Sequence, residues 1–213
     1  FQSRRRGLYH SVLSELKRQG LVYPCRCSRS LLSKSFDSRG PTSIYSGKCR
    51  GLKLFWGFEN QRLPSWRLNV SQEFSKTSGD VLLRRSDGFV AYHLANVVDD
   101  ITLGINEVVR GQDLFDALPS QLAVFNALNQ TPSMYKHSPV FVDIHGKKLA
   151  KRDGSQGLES LRAKGMVAEQ VIGFLASTLQ LTPLGSSLSA TELLSEIEEK
   201  PEHLNRLLHT PNH

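Results

Sequence analysis

Three cysteines set the tightest constraint on how this chain can fold. Cys25-x-Cys27 opens, and Cys49 closes, a stretch rich in Ser, Arg and Gly that shows little apolar periodicity. A segment of that composition has few side chains with which to build a core, so it needs a staple. Zinc prefers thiolates and takes four ligands at a structural site, which leaves one position beside the three sulfurs. No histidine lies between Cys25 and Cys49, so the fourth ligand would be an oxygen donor such as Tyr45 or Asp37, or a water. Burial of the thiols as small hydrophobes is the competing account. The composition of the loop favours zinc over it.

The rest of the chain can supply one respectable core or two small ones, since 39% of its 213 residues are hydrophobic and 22% charged. No apolar run approaches the roughly 18 residues of a spanning helix. Phe1 to Arg6 lack the apolar stretch of a secretory signal, so a cytoplasmic protein with no membrane partner is expected. Lys and Arg outnumber Asp and Glu by 27 to 20, a balance that suits approach to a polyanion such as nucleic acid. The start at Phe1 rather than at methionine carries the expectation that something upstream was cleaved or omitted.

Periodicity places the elements. Ser3 is read as the cap of a helix with Leu8, Val12 and Leu16 on its inner face, stopped at Gly20. Val81 to Arg85 and Phe89 to Tyr92 flank Asp87-Gly88, a hairpin signal. Leu94 to Asp100 reads as a helical turn or two, and Ile105 to Val109 as a buried strand. The apolar series Leu114, Leu118, Leu122, Phe125 and Leu128 marks a helix that Thr131-Pro132 ends. Pro139 to Ile144 reads as a further strand. Beyond it the pattern is helical: Val167, Val171, Phe174, Leu175 and Leu179 share one face, with shorter helices around Leu193 to Ile197 and Leu204 to Leu208.

Two further motifs bear chemistry. Gly146 to Gly154 carries four cations in six positions, Lys147, Lys148, Lys151 and Arg152, between glycines and after a predicted strand. Such a loop can close on phosphates, or can be a solvated basic loop. In Val109-Arg110-Gly111, an arginine at a strand end is placed to grip a carboxylate bidentately, or to make an ordinary ion pair.

In order and spacing these motifs resemble the glutamyl-type class I aminoacyl-tRNA synthetases. The resemblance lies in Asp87-Gly88-Phe89-Val90-Ala91-Tyr92-His93-Leu94-Ala95-Asn96, in Glu107-Val108-Val109-Arg110-Gly111-Gln112-Asp113-Leu114, and in Lys148-Leu149-Ala150-Lys151-Arg152, which matches the family's lysine signature with Ala150 in place of serine. It runs from Gln2 to about Gly154. Only 61 residues follow Arg152, too few for an anticodon-binding region, which points to the short glutamyl-queuosine branch. The zinc pattern of that branch is matched by Cys25, Cys27, Tyr45 and Cys49, so the resemblance supplies the fourth ligand. The branch's upstream His-x-Gly-His signature is not present in this sequence, which we read as truncation of the first half of the nucleotide-binding fold.

The resemblance implies an α/β class I synthetase Rossmann-type catalytic domain, first half missing, with a zinc-binding insertion and a helical tail. Residues 1–20 would be a helix of the catalytic domain and 21–80 the insertion; 81–155 would be the second half with the lysine loop, and 156–213 a tail contacting an RNA stem. It implies an ATP-dependent ligase that activates glutamate and transfers it to queuosine in tRNA(Asp). Tyr92 and Arg110 would hold glutamate, Lys148 and Lys151 ATP, with Lys151 catalytic; Zn2+ and ATP with Mg2+ are the implied cofactors, and a monomer the expected state. The alternatives are a discriminating or truncated glutamyl-tRNA synthetase and a non-catalytic zinc-containing RNA-binding module.

Overall fold

The computed structural model describes residues 1–28, 44–142, 148 and 157–208. The chain packs as two compact units, one comprising Phe1–Val108 with Leu114–Met134 and the other Val109–Asp113 with Tyr135–His213.

In the first unit a 3-10 turn, Gln2–Arg4, leads into helix α1, Arg6–Arg18. Ser3 lies inside the turn and caps nothing, and the inner face is Tyr9, Leu13 and Leu16 rather than the expected series. Leu8 is exposed. The rotation has a cause in Asp99, whose carboxylate accepts from Arg5 Nε (2.7 Å), the Tyr9 hydroxyl (2.8 Å) and Gln2 (3.0 Å), so a polar partner helps to set which face turns inward. Asp99 belongs to helix α3, Tyr92–Leu103, longer than the turn or two expected; short helix α2, Gln72–Ser75, precedes it. Leu94, Ala95, Val97 and Val98 form its buried side. It ends at Gly104, whose φ of 67° lets its N–H close on Asp100 and Ile101 carbonyls.

Strands β1 (Val22–Cys25), β2 (Ser65–Leu68) and β3 (Leu82–Arg84) form an antiparallel sheet in which Val22 faces Leu68 and Cys25 faces Ser65. The turn at Asp87-Gly88 forms as expected, with Gly88 at φ 90°, but its return limb contributes only the single bridge Arg84 to Val90 before α3 begins. Strand β4, Glu107–Gly111, is followed by a 3-10 stretch, Gln112–Ala117, helix α4, Leu118–Ala127, and strand β5, Met134–Ser138. The Ser133 hydroxyl reaches the Ile105 carbonyl and that of Ser138 the Arg110 carbonyl, each across 28 residues, and Met134 N–H meets Asn106 at the same offset. A constant offset means parallel strands, so β4, α4 and β5 make a strand-helix-strand crossover of the kind Rossmann-type domains are built from. The strand expected at Pro139 to Ile144 lies earlier because Pro139 has no N–H to give a ladder. Among the described residues of that run, Val142 alone is bridged, to Lys148.

The second unit continues into helices α5 (Leu158–Ala163), α6 (Ala168–Thr178), α7 (Ala190–Glu199) and α8 (Pro201–Leu207). The buried face of α6 is Gly173 and Ala176, whereas Val167 and Phe174 are exposed. A Cβ on Gly173 would lie 1.8 Å from the Ser186 carbonyl oxygen, so the following segment crosses the helix at a glycine, and small residues rather than the apolar stripe define the contact. Among the described residues no helix is long and apolar enough to cross a membrane.

Candidate metal centre and synthetase site

The end of β1 carries Cys25, and Cys27 follows two residues later on the same edge. Tyr45 and Cys49 reach them from a turn whose closing glycine, Gly47, has φ 72° and accepts Arg50 N–H at 2.7 Å. The Tyr45 backbone pairs with Gly79, where a Cβ would meet Ile44 at 2.7 Å, so that close approach requires glycine. Asp80, next in the chain, is the anchor of the whole arrangement. Its buried carboxylate pairs with Arg50, accepts the Tyr23 hydroxyl, and accepts Val70 N–H at 3.2 Å.

These constraints bring the four expected ligands together. The three sulfurs lie within 4.8 Å of one another and all three cysteines are buried. Tyr45 Oη is 3.4 Å from Cys25 Sγ and 3.5 Å from Cys27 Sγ, and Cys27 Sγ is 3.5 Å from Cys49 Sγ. A tetrahedral zinc with bonds of about 2.3 Å to sulfur and about 2.0 Å to oxygen sets sulfurs about 3.8 Å apart and sulfur to oxygen about 3.5 Å. The donor set therefore fits a zinc-sized ion with little movement. Burial pushes the Cys27 thiol up to about 11 and raises the Tyr45 phenol. Burial would raise Cys49 as well, but hydrogen bonds from the Tyr45 hydroxyl and the Arg26 backbone outweigh it and hold that thiol below its ordinary value. Asp37, the other oxygen donor considered, lies outside the described residues.

The remaining site residues fall in both units. Tyr92 opens α3 with its ring exposed and set edge-on to His93, centroids 5.5 Å apart. Arg110, on β4 in the second unit, donates from Nε to His137 Nε2 at 3.0 Å and lies over the Tyr135 ring at 4.7 Å. Both β5 partners are buried, so the guanidinium is held in one orientation, as a carboxylate clamp requires. Lys148 pairs with Asp113, which holds that carboxyl below the usual carboxylate range. Lys151 and Arg152 lie outside the described residues.

The sequence profile of the tRNA synthetases class I (E and Q), catalytic domain, matches residues 64–203. The chain belongs to this family. Within it, the chain is 56% identical over 208 residues to the Glutamyl-Q tRNA(Asp) synthetase of Prochlorococcus marinus (strain MIT 9313), covering 98% of this chain and 68% of that protein. It is 49% identical to the protein of the same name from Synechococcus sp. (strain CC9605), covering 93% of this chain and 66% of the other. Among solved structures, a glutamate tRNA ligase from Elizabethkingia meningosepticum CCUG26117 in complex with its amino acid aligns with a TM-score of 0.66 at 18% identity, over 92% of this chain and 48% of that one. That likeness establishes the class I synthetase fold and bears out the mixed α/β expectation. Membership makes the chain part of a ligase-type enzyme.

Arg67, Asp80 and His137 are buried polar residues that sequence patterns do not single out. Gly79-Asp80 gives a turn signal and nothing about a metal nest, and an arginine within Ser65-Trp66-Arg67-Leu68 reads as a solvated strand residue.

Proposed function

We propose that this chain carries the ATP-dependent activation of glutamate and its transfer to the queuosine base of tRNA(Asp). The observation that supports this reading most directly is the assembly of Cys25, Cys27, Tyr45 and Cys49 into one buried cluster, in a family catalytic domain whose relatives bear that activity in their names. Residues 21–80 act as the metal-bearing insertion, 81–155 as the second half of the catalytic domain, and 156–213 as a tail that contacts an RNA stem. Zinc, when bound, would supply a structural cross-link between the end of β1 and the Tyr45–Cys49 turn. The enzyme works as a cytoplasmic monomer.

The chemistry needs no protein nucleophile. The α-carboxylate of glutamate is ionised at neutral pH and attacks the α-phosphorus of ATP, forming a carbon-oxygen-phosphorus mixed anhydride as pyrophosphate leaves. A hydroxyl of the queuosine cyclopentenediol then attacks the acyl carbon; an ester forms, AMP leaves and the hydroxyl proton passes to solvent. Positioning and charge stabilisation carry both steps. Arg110, oriented by His137 and Tyr135, and the Tyr92 hydroxyl hold glutamate. Lys151 meets the charge that grows on the phosphates, Lys148 contributes to ATP binding, and Mg2+ accompanies the nucleotide.

Incubating the intact enzyme with labelled glutamate, ATP and tRNA(Asp), with and without queuosine, tests the reading. Label on the modified base is expected, and none on the unmodified RNA. Label at the 3′ end of tRNA(Glu) would replace the reading with an ordinary glutamyl-tRNA synthetase, and no label on any tRNA would replace it with a binding module. In the same enzyme Lys151→Ala is expected to lower ATP-pyrophosphate exchange by about 10²-fold or more, the range for loss of one preorganised charge-stabilising group.

A further inference from the structure

Beside the cysteine nest, the buried Arg67 and the half-buried Arg62 each carry an Nε donor without an acceptor and without an ion pair to offset it among the described residues. Arg67 is 8% exposed and its Nε makes no hydrogen bond; Arg62 is half-buried and its Nε is likewise buried and without a partner. Neither makes an ion pair among the described residues. Arg26 Nε also lacks a hydrogen bond, but its charge is met by Glu59 at 2.9 Å; Arg50 pairs with Asp80, and Arg85 with Asp87. A buried guanidinium with an unsatisfied N–H is costly, and it persists where a negative charge belongs.

That charge is defined by the ligand set. Three thiolates and a phenolate around a dication leave a centre with two surplus negative charges, and a buried anionic centre needs compensation as much as a buried cation does. The geometry aims the two arginines at it. Arg67 donates from Nη1 to the Asp80 carbonyl at 2.7 Å, and its guanidinium carbon lies 3.8 Å from the centre of the Tyr45 ring. Asp80, which anchors the Tyr45–Cys49 turn through Arg50, thus holds Arg67 over the ring of the oxygen ligand. Arg62 reaches the Cys27 carbonyl from Nη2 at 3.4 Å. Both arginines line, with Cys25 and Cys27, one cavity of about 600 Å3.

We infer that Arg62 and Arg67 are the counter-charges of the metal centre, positioning residues that hold a doubly anionic zinc site in the fold, rather than contacts for RNA phosphates. This rests on the zinc reading above. Outer partners of metal ligands are worth about 10–100-fold in metal affinity. Arg67, the more buried and the one on a ligand ring, belongs at the upper end of that range and Arg62 at the lower. Arg85 lines the same cavity but is exposed and paired with Asp87, so it is the internal control.

The test is zinc competition against a chromogenic chelator in the intact protein, together with the visible spectrum of the cobalt(II)-substituted form, which reports thiolate ligation without any reference to activity. Arg67→Gln is expected to weaken zinc by roughly 100-fold, Arg62→Gln by roughly tenfold, and Arg85→Gln by less than about twofold. Arg67→Lys keeps the charge over the ring and should recover most of the loss, an outcome that packing alone would not produce and that can be read even if the glutamine variant folds poorly. Arg62→Gln and Arg67→Gln proteins that hold zinc as tightly as wild type overturn the inference. So does a loss of tRNA affinity and of its salt dependence with zinc binding unchanged, which would assign the arginines to a polyanion. A wild-type protein that takes up neither zinc nor cobalt(II) overturns the metal reading itself, and is distinguished because the wild-type arm alone reveals it.

Discussion

The cysteine nest and the helical layer of α1, α3 and α4 both lie in the first unit and both exclude water, by opposite means. The helices bury Leu13, Leu16, Leu94, Val97, Val98, Val124 and Phe125, apolar residues whose burial is favourable whatever ion is present. The nest buries three thiols and a phenol, with Tyr23 and Leu54 the partly buried hydrophobics packed against it. One region is stabilised by area removed from water and the other by a coordination shell. A single unit can therefore hold a part that folds by its own apolar pattern next to a part whose order depends on a ligand.

Removing the metal should produce the largest difference between the two. Structural zinc contributes about 10–16 kcal/mol of apparent binding free energy at neutral pH, far more than the few apolar contacts around the nest can replace. Chelation, or Cys49→Ser, is expected to open the segment 44–62 to proteases while the far-UV helical signal persists. Loss of the helical signal in the same transition would show that the two regions form one cooperative block, and an uncleaved 44–62 segment would show that the nest stands without its ion.

The converse change probes the helical layer. Leu94 is fully buried in the first turn of α3, and Leu94→Ala should cost about 2–5 kcal/mol of global stability in denaturant unfolding, the range for a core leucine. Zinc affinity should be unchanged, because none of the four ligands comes from α3. Weaker zinc binding in this variant would mean that the nest leans on the helices.

The two regions also differ in how far the sequence reveals them. The three cysteines of the nest were legible as a cluster of thiolate donors, but the fourth ligand was not, since Tyr45 stood beside Asp37 and water until the family resemblance supplied it. The existence of α1, α4 and β4 was legible from the apolar pattern, although β4 runs over Glu107–Gly111 rather than Ile105 to Val109 and is partly exposed instead of buried, with Val109 facing out. The face of α1 was not, because Asp99, some ninety residues away, decides it through Arg5 and Tyr9. The apolar stripe of α6 misled for a related reason: the crossing segment chose Gly173, where it could approach most closely. Arg67 and His137 escaped because a buried polar residue is recognised by its partners, and those partners come from other strands. Lys151 rests on the motif alone.

Tyr45→Phe should have the smallest effect and says most about what sort of centre this is. The substitution removes only Oη, which approaches two sulfurs and accepts Cys49 N–H at 3.1 Å; the ring beneath Arg67 stays. Three thiolates remain, and a water can take the fourth position, as it does at open zinc sites. The expected result is zinc bound about tenfold more weakly, about 1.4 kcal/mol, with a shifted cobalt(II) spectrum and an intact fold. The surplus charge falls by one when the phenolate is replaced by water, so Arg62→Gln should weaken zinc less in the Tyr45→Phe background than in wild type. Equal losses in the two backgrounds would mean that the arginines do not sense the charge of the centre. Complete loss of zinc in Tyr45→Phe alone would make the oxygen ligand indispensable and set the nest further apart from the helices, since a single atom would then decide whether the region folds.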